Sequence, residues 1–199
     1  IGNNVYTLEL GLMDISEEEV VNELVPIVES YLNETLEIVS LKDSMHHLGY
    51  TSLVLKHQQN YSLQYGFQQY ALEPLNCGDS FSAFHQDNLH YLALSDGMGQ
   101  GKMAANESKL TLEVLSKLIL NGIGLKDTID SINALLKIKN RNDMFTTLDL
   151  CNINLANARM KLIKYGANPS YHIRSGMVEK IATNSLPVGV VSKLKMVSY

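Results

Sequence analysis

Apolar and polar positions along the first third of the chain change period twice. Ser16-Glu17-Glu18-Glu19 has the composition of a capping box, in which a Ser side chain accepts from the backbone N–H three residues on and Glu19 reaches back. A helix is predicted from there, with Val20, Leu24, Ile27, Val28 and Tyr31 at helical spacing, a kink at Pro26 and an end at Asn33. Two short strands follow, at 36–41 and 52–57. Residues 1–60 are expected to form a small α/β regulatory or linker segment.

From Tyr61 the alternation is that of strands, predicted at 61–70, 79–85 and 89–95. After Gly101 the period becomes helical: Met103, Glu107, Thr111, Val114, Leu115, Leu118 and Ile119 share one face, and Gly122 supplies a stop. Asp127 reads as the N-cap of a second helix bearing Ile129, Ile132, Leu135 and Leu136. Strands resume at 145–153, 160–165, 170–174 and 177–181, with Ser175-Gly176 suited to a tight hairpin turn. Sheet portions enclosing a helix pair predict an α+β fold.

Composition narrows the function. Within 199 residues, 45% hydrophobic content suffices for a sizeable core, and a net charge of -5 offers no basic field for nucleic acid. No apolar run approaches the roughly 20 residues that span a bilayer, so no membrane segment is expected in this chain and any tether would lie outside it. Cys77 and Cys151 lack the spacing of a zinc site or a disulfide framework, which makes a reducing, cytoplasmic setting the default.

Chemistry concentrates in one hairpin. If the turn between 79–85 and 89–95 is centred on Asp87-Asn88, Asp79 lies directly opposite Asp96. Like charges about 4.5–5.5 Å apart across a ladder destabilise it unless a cation lies between them, and Mg²⁺ or Mn²⁺ suits carboxylate oxygens and water. The glycines of Asp96-Gly97-Met98-Gly99-Gln100-Gly101 allow positive φ and close backbone approach before a helix N-terminus. Gly101-Lys102 fails as a Walker A loop because Met103 stands where a Ser or Thr would bind Mg²⁺. A GxGxG run is likewise not a dinucleotide fingerprint. Cys77 reads as a small packing residue, His46-His47 as a surface pair, and Asp149 as a partly buried carboxylate with a structural partner.

Gly78-Asp79-Ser80, Asp96-Gly97-Met98-Gly99-Gln100-Gly101-Lys102 and Glu107-Ser108 together resemble the first two metal-binding motifs of PP2C-type (PPM) protein phosphatases. Asp130-Ser131-Ile132-Asn133, Thr146-Thr147-Leu148-Asp149-Leu150, Gly166-Ala167-Asn168-Pro169-Ser170 and Ser185-Leu186-Pro187-Val188-Gly189 follow in the order seen in the stage II sporulation protein E group. The resemblance implies stacked antiparallel sheets flanked by helices over 61–199, preceded by the 1–60 segment. It also implies metal-dependent hydrolysis of phosphoserine or phosphothreonine on an anti-anti-sigma-factor-like partner protein in sporulation or stress signalling. Two ions, Mn²⁺ or Mg²⁺, are implied in the complete enzyme, with Asp79, Asp96 and the Gly97 carbonyl as ligands from this chain. The two aspartates are also the implied catalytic residues, and the same reading admits a homodimer. Later acidic motifs of the family are not met before Tyr199, so the domain reads as C-terminally truncated and the 199 residues are expected to be inactive by themselves. The alternative reading is a catalytically degenerate module that binds a partner.

Overall fold

A computed structural model describes residues 8–13, 15–43, 50–58, 60–71, 77–99, 101–139 and 145–191. The chain divides into two compact units, Ile1–Ser62 with Leu155–Ala158, and Leu63–Asn154 with Arg159–Tyr199.

In the first unit, β1 (Leu8–Met13), β2 (Leu36–Asp43) and β3 (Tyr50–His57) form an antiparallel sheet in the order β1-β3-β2. β1 escaped the sequence reading. The capping box forms as expected: Glu19 N–H donates to Ser16 Oγ at 3.2 Å and Ser16 N–H to Glu19 Oε2 at 2.9 Å. Behind it α1 (Glu17–Glu19) passes into a π-helical turn, Val20–Leu24, and then into α2 (Val25–Leu32). Pro26, which cannot donate to the turn before it, therefore sits immediately behind the π-helical turn, where the ordinary helical ladder is already interrupted. The wide turn rotates the residues beyond it, so Ile27 and Tyr31 are exposed while Val20, Val25, Leu36, Leu53 and Leu55 form the core. Asn33 ends the helix in the left-handed region at φ 54°.

The second unit has the α+β character expected. Its main sheet is antiparallel in the order β4-β5-β6-β7, from β4 (Asp79–Gln86), β5 (Leu89–Asp96), β6 (Leu148–Asn154) and β7 (Arg159–Tyr165). A separate hairpin joins β8 (Ser170–Arg174) to β9 (Met177–Ile181) through Ser175 and Gly176, both at positive φ as a tight turn requires. The predicted strand at 61–70 is not one. Residues 60–71 have no ladder, and alternation without a neighbouring strand does not make a sheet; Phe67 instead stacks on Phe81 with centroids 4.5 Å apart.

α3 (Gly101–Leu120) and α4 (Leu125–Lys139) cover one sheet face. Leu112, Leu115 and Ile119 of α3 and Ile129, Ile132 and Leu136 of α4 meet Tyr91, Ala93, Leu148, Leu150, Ile163 and Tyr165, each fully buried aliphatic side chain contributing roughly 1.5–3 kcal/mol. Of the stripe expected on α3, Glu107, Thr111, Leu115 and Ile119 are buried; the inward face is broader, taking in Ala104, Ser108 and Leu112 as well, and Met103 is 57% exposed. α4 starts three residues earlier than expected, which moves Asp127 from the cap into the first turn. Past β9 the chain returns to the sheet. Ser185 Oγ donates to Lys164 O at 2.6 Å, Thr146 and Val188 exchange backbone hydrogen bonds, and Asn133 of α4 binds Gly189 N–H and Val191 O. Among the described residues no helix is long and apolar enough to cross a membrane.

Candidate metal centre

The two-residue turn Asp87-Asn88 fixes the β4–β5 register, with Asp87 at φ 52°. Asp79 stands directly opposite Asp96, as the sequence requires for a turn at that place. Both side chains are solvent-exposed. Partial burial pushes the Asp96 carboxyl above the usual range, and the Asp79 charge and a hydrogen bond between the two carboxyls push it the same way. Two acidic groups held this close are electrostatically incomplete without a cation or a proton.

The backbone at Asp96 is clamped from β6's approach. Asp96 N–H donates to Thr147 Oγ1, and Asp96 O accepts from both Thr147 N–H and Thr146 Oγ1, each at 2.9 Å. Ser95 Oγ donates to Thr147 O at 2.8 Å and lies 2.7 Å from Thr146 Oγ1. Gly97 continues the clamp, donating to Gly78 O at 3.0 Å, and Met98 N–H donates to Phe145 O at 2.9 Å.

Gly97 is glycine for want of space. A Cβ there would sit 2.1 Å from Ala104 O of α3, whereas Gly99 and Gly101, at φ 99° and 66°, are the residues that need left-handed backbone. A Cβ on Gly78 would lie 3.5 Å from Gly97 O and 3.6 Å from Asp96 Oδ1, so the carbonyl and the carboxylate border one small space. Ser80 and Ser108 hydroxyls, 2.8 Å apart, tie β4 to α3 beside Asp79.

The donor set fits one hard cation. Two carboxylates and a neighbouring carbonyl leave the remaining positions to water, as Mg²⁺ and Mn²⁺ accept. Among the described residues there is no group of three or more His, Cys, Asp or Glu side chains placed for a metal. Cys77, two residues before Asp79, is only partly buried, with its thiol 3.9 Å from Asp79 Oδ2 and 3.5 Å from Tyr70 O. Asp149 has the structural partner expected of it, the fully buried Lys164 ammonium, which also donates to Ser170 Oγ at 2.7 Å. His46-His47 lies outside the described residues. Thr146 and Thr147 stand out in the sequence only as part of a family motif; their hold on Asp96, about fifty positions away along the chain, has no local signature. Beside Asp79 a cleft of about 330 Å³ opens, lined among others by Phe67, Phe81, Lys109, Glu113 and Ser116.

A sequence profile of the Stage II sporulation protein E (SpoIIE) family matches residues 86–199. The chain is 31% identical over 200 residues to stage II sporulation protein E of Bacillus subtilis and 30% identical over 202 residues to that of Priestia megaterium. These alignments take in 95% and 96% of the chain but only 24% and 34% of the relatives, so the chain spans about a quarter to a third of their length. The solved PP2C phosphatase domain with a fragment of the regulatory domain of B. subtilis SpoIIE superposes with a TM-score of 0.76 at 28% identity, over 100% of this chain and 59% of that one. A bacterial serine phosphatase shares the fold at a TM-score of 0.55 and 19% identity, over 67% of this chain and 70% of that one. With its diacid hairpin, glycine loop and helix pair in the family's order, the chain belongs to the stage II sporulation protein E family and carries a PP2C-type phosphatase fold.

Proposed function

We propose that this chain supplies the first metal-ligand set of a protein serine/threonine phosphatase, with Asp79, Asp96 and the Gly97 carbonyl as ligands and the two aspartates catalytic through the ions they hold. The supporting observation is the direct opposition of Asp79 and Asp96 across β4–β5, with the Asp96 backbone pinned by Thr146 and Thr147. Mn²⁺ or Mg²⁺ held by these residues would supply Lewis acidity, lowering the pKa of a water and offsetting charge on phosphoryl oxygens. The chain's own part is positioning: Asp79 and Asp96 hold their oxygens on one face, and the hydrogen-bonded Gly97 backbone keeps its carbonyl beside them. The cleft next to Asp79 gives room for the polypeptide flanking a phosphorylated serine.

The substrate in this reading is a phosphorylated anti-anti-sigma-factor-like protein of sporulation or stress signalling, met in the cytoplasm. Residues 1–60 act as a regulatory or linker region and 61–199 as phosphatase-domain sequence, in a protein that forms a homodimer. Mn²⁺-dependent phosphate release from such a phosphoprotein by the full-length protein tests the proposal. Activity that survives Asp96→Asn, or that needs no divalent cation, would sink it.

A second reading, a binding module without turnover, is favoured by one observation: only two carboxylates converge at the centre among the described residues. It predicts that the full-length protein binds the phosphoprotein in the presence of Mn²⁺ and leaves its phosphate in place.

A further inference from the structure

At the far end of the same hairpin stands a second pair of potential ligands. His85 of β4 and His90 of β5 are direct cross-strand partners, and their imidazoles are stacked with centroids 5.1 Å apart and planes inclined by 20°. His85 is exposed and His90 partly buried. No ring nitrogen of either residue has a hydrogen-bonding or ion-pair partner among the described residues. They lie six positions along β4 from Asp79, about 20 Å at the rise of a strand, and are a place apart from the diacid.

Imidazole pairs and carboxylate pairs select different ions. Borderline cations such as Zn²⁺, Ni²⁺ and Cu²⁺ take imidazole nitrogen, whereas Mg²⁺ and Mn²⁺ favour oxygen. Metal–nitrogen bonds of about 2.0–2.1 Å need the two nitrogens to come within about 3 Å of each other. Directly opposed strand residues have Cβ atoms about 4.5–5.5 Å apart, so side-chain rotation at this exposed hairpin end closes the remaining gap with no backbone change. Desolvation and the neighbouring His85 both hold His90 below the usual histidine range, which keeps it in the neutral form that binds metal.

We propose that His85 and His90 form a two-imidazole site for a borderline divalent cation such as Zn²⁺, completed by water and independent of the carboxylate centre. The short turn Asp87-Asn88 preorganises it, because the register that opposes Asp79 to Asp96 also opposes the two histidines.

Zn²⁺ titration of this chain, read by calorimetry and by the imidazole ¹H–¹⁵N signals, tests the site. The expected result is saturable binding that shifts the His85 and His90 signals, with Mg²⁺ leaving them unmoved. His85→Gln, at an exposed position, should weaken Zn²⁺ on the order of tenfold or more with an unchanged circular-dichroism spectrum. His90→Gln should do the same, and the control His46→Gln/His47→Gln should not. Unaltered affinity in His85→Gln, loss of binding in the His46/His47 control, or equal shifts with Mg²⁺ would each overturn the assignment.

Discussion

Thr147 Oγ1 accepts the backbone N–H of Asp96 at 2.9 Å, and Thr146 Oγ1 donates to the carbonyl of the same residue at the same distance, so two adjacent hydroxyls hold both backbone polar groups of one residue. Thr146 is fully buried and its hydroxyl also meets Ser95, whereas the Thr147 contact lies at the surface. Thr146→Val should therefore destabilise the fold by about 1–3 kcal/mol, by leaving buried groups unpaired, and Thr147→Val by only about 0.5–1.5 kcal/mol. Urea unfolding of the two variants gives the ranking; equal losses would contradict the clamp as described.

Asp96→Asn removes one of two facing charges. Its gain in the metal-free chain should not exceed about 1 kcal/mol, because both carboxylates are open to solvent screening. The pH dependence has a definite sign. Asp96 has a folded pKa raised by desolvation first and by Asp79 second, so the native fold is favoured most below the ordinary Asp pKa and loses that advantage as pH rises through the raised value. Melting temperatures of wild type and Asp96→Asn should converge in acid and separate toward neutrality, with Mn²⁺ reversing the order there. Parallel curves across that range would contradict the electrostatic account.

Lys164 and Asp149 make an ion pair with the ammonium completely buried. Lys164→Met strands the Asp149 carboxylate and should cost up to about 3–5 kcal/mol, the lower end applying because Asp149 keeps 18% of its side chain exposed. Adding Asp149→Leu should restore most of the loss, since well-packed apolar pairs commonly replace buried ion pairs without penalty. A double mutant no better than Lys164→Met would show that the charge pair does more than satisfy itself.

Burial, followed by the Asp149 charge, pushes the Cys151 thiol up to about 11, with Lys164 pulling weakly the other way. At pH 8 only about one molecule in a thousand carries the thiolate there. Iodoacetamide should consequently spare Cys151 at pH 8 and modify it much faster near pH 10, as peptide mass mapping can read. Rapid modification at pH 8 would mean that the thiol is not shielded by β6 and its neighbours.

What the sequence made legible is local. The capping box at Ser16 and Glu19, the turn at Asp87-Asn88 and the turn at Ser175-Gly176 each rest on residues within a few positions, and each formed as read. The register opposing Asp79 to Asp96 follows from such a turn. Alternation over 61–70 misled because polarity period alone does not supply a partner strand. The inward rotation of Ile27 and Tyr31 failed at the π-helical turn, whose extra residue per turn has no simple polarity signature. The roles of Thr146, Thr147 and Lys164 were not legible for another reason: they depend on which strands become neighbours, and that is decided by the whole sheet.

The clamp on Asp96 has a consequence for the chain as it is being made. Asp96 leaves the ribosome 51 residues ahead of Thr147, and at about 5–20 residues per second its backbone waits roughly 3–10 s for the hydroxyl that will pin it. During that interval the β4–β5 hairpin can close on its own turn, bringing two carboxylates face to face before anything restrains their peptide units. The acidic pair is thus assembled early and set late, and the newborn hairpin is exposed to whatever cations surround it before its geometry is fixed.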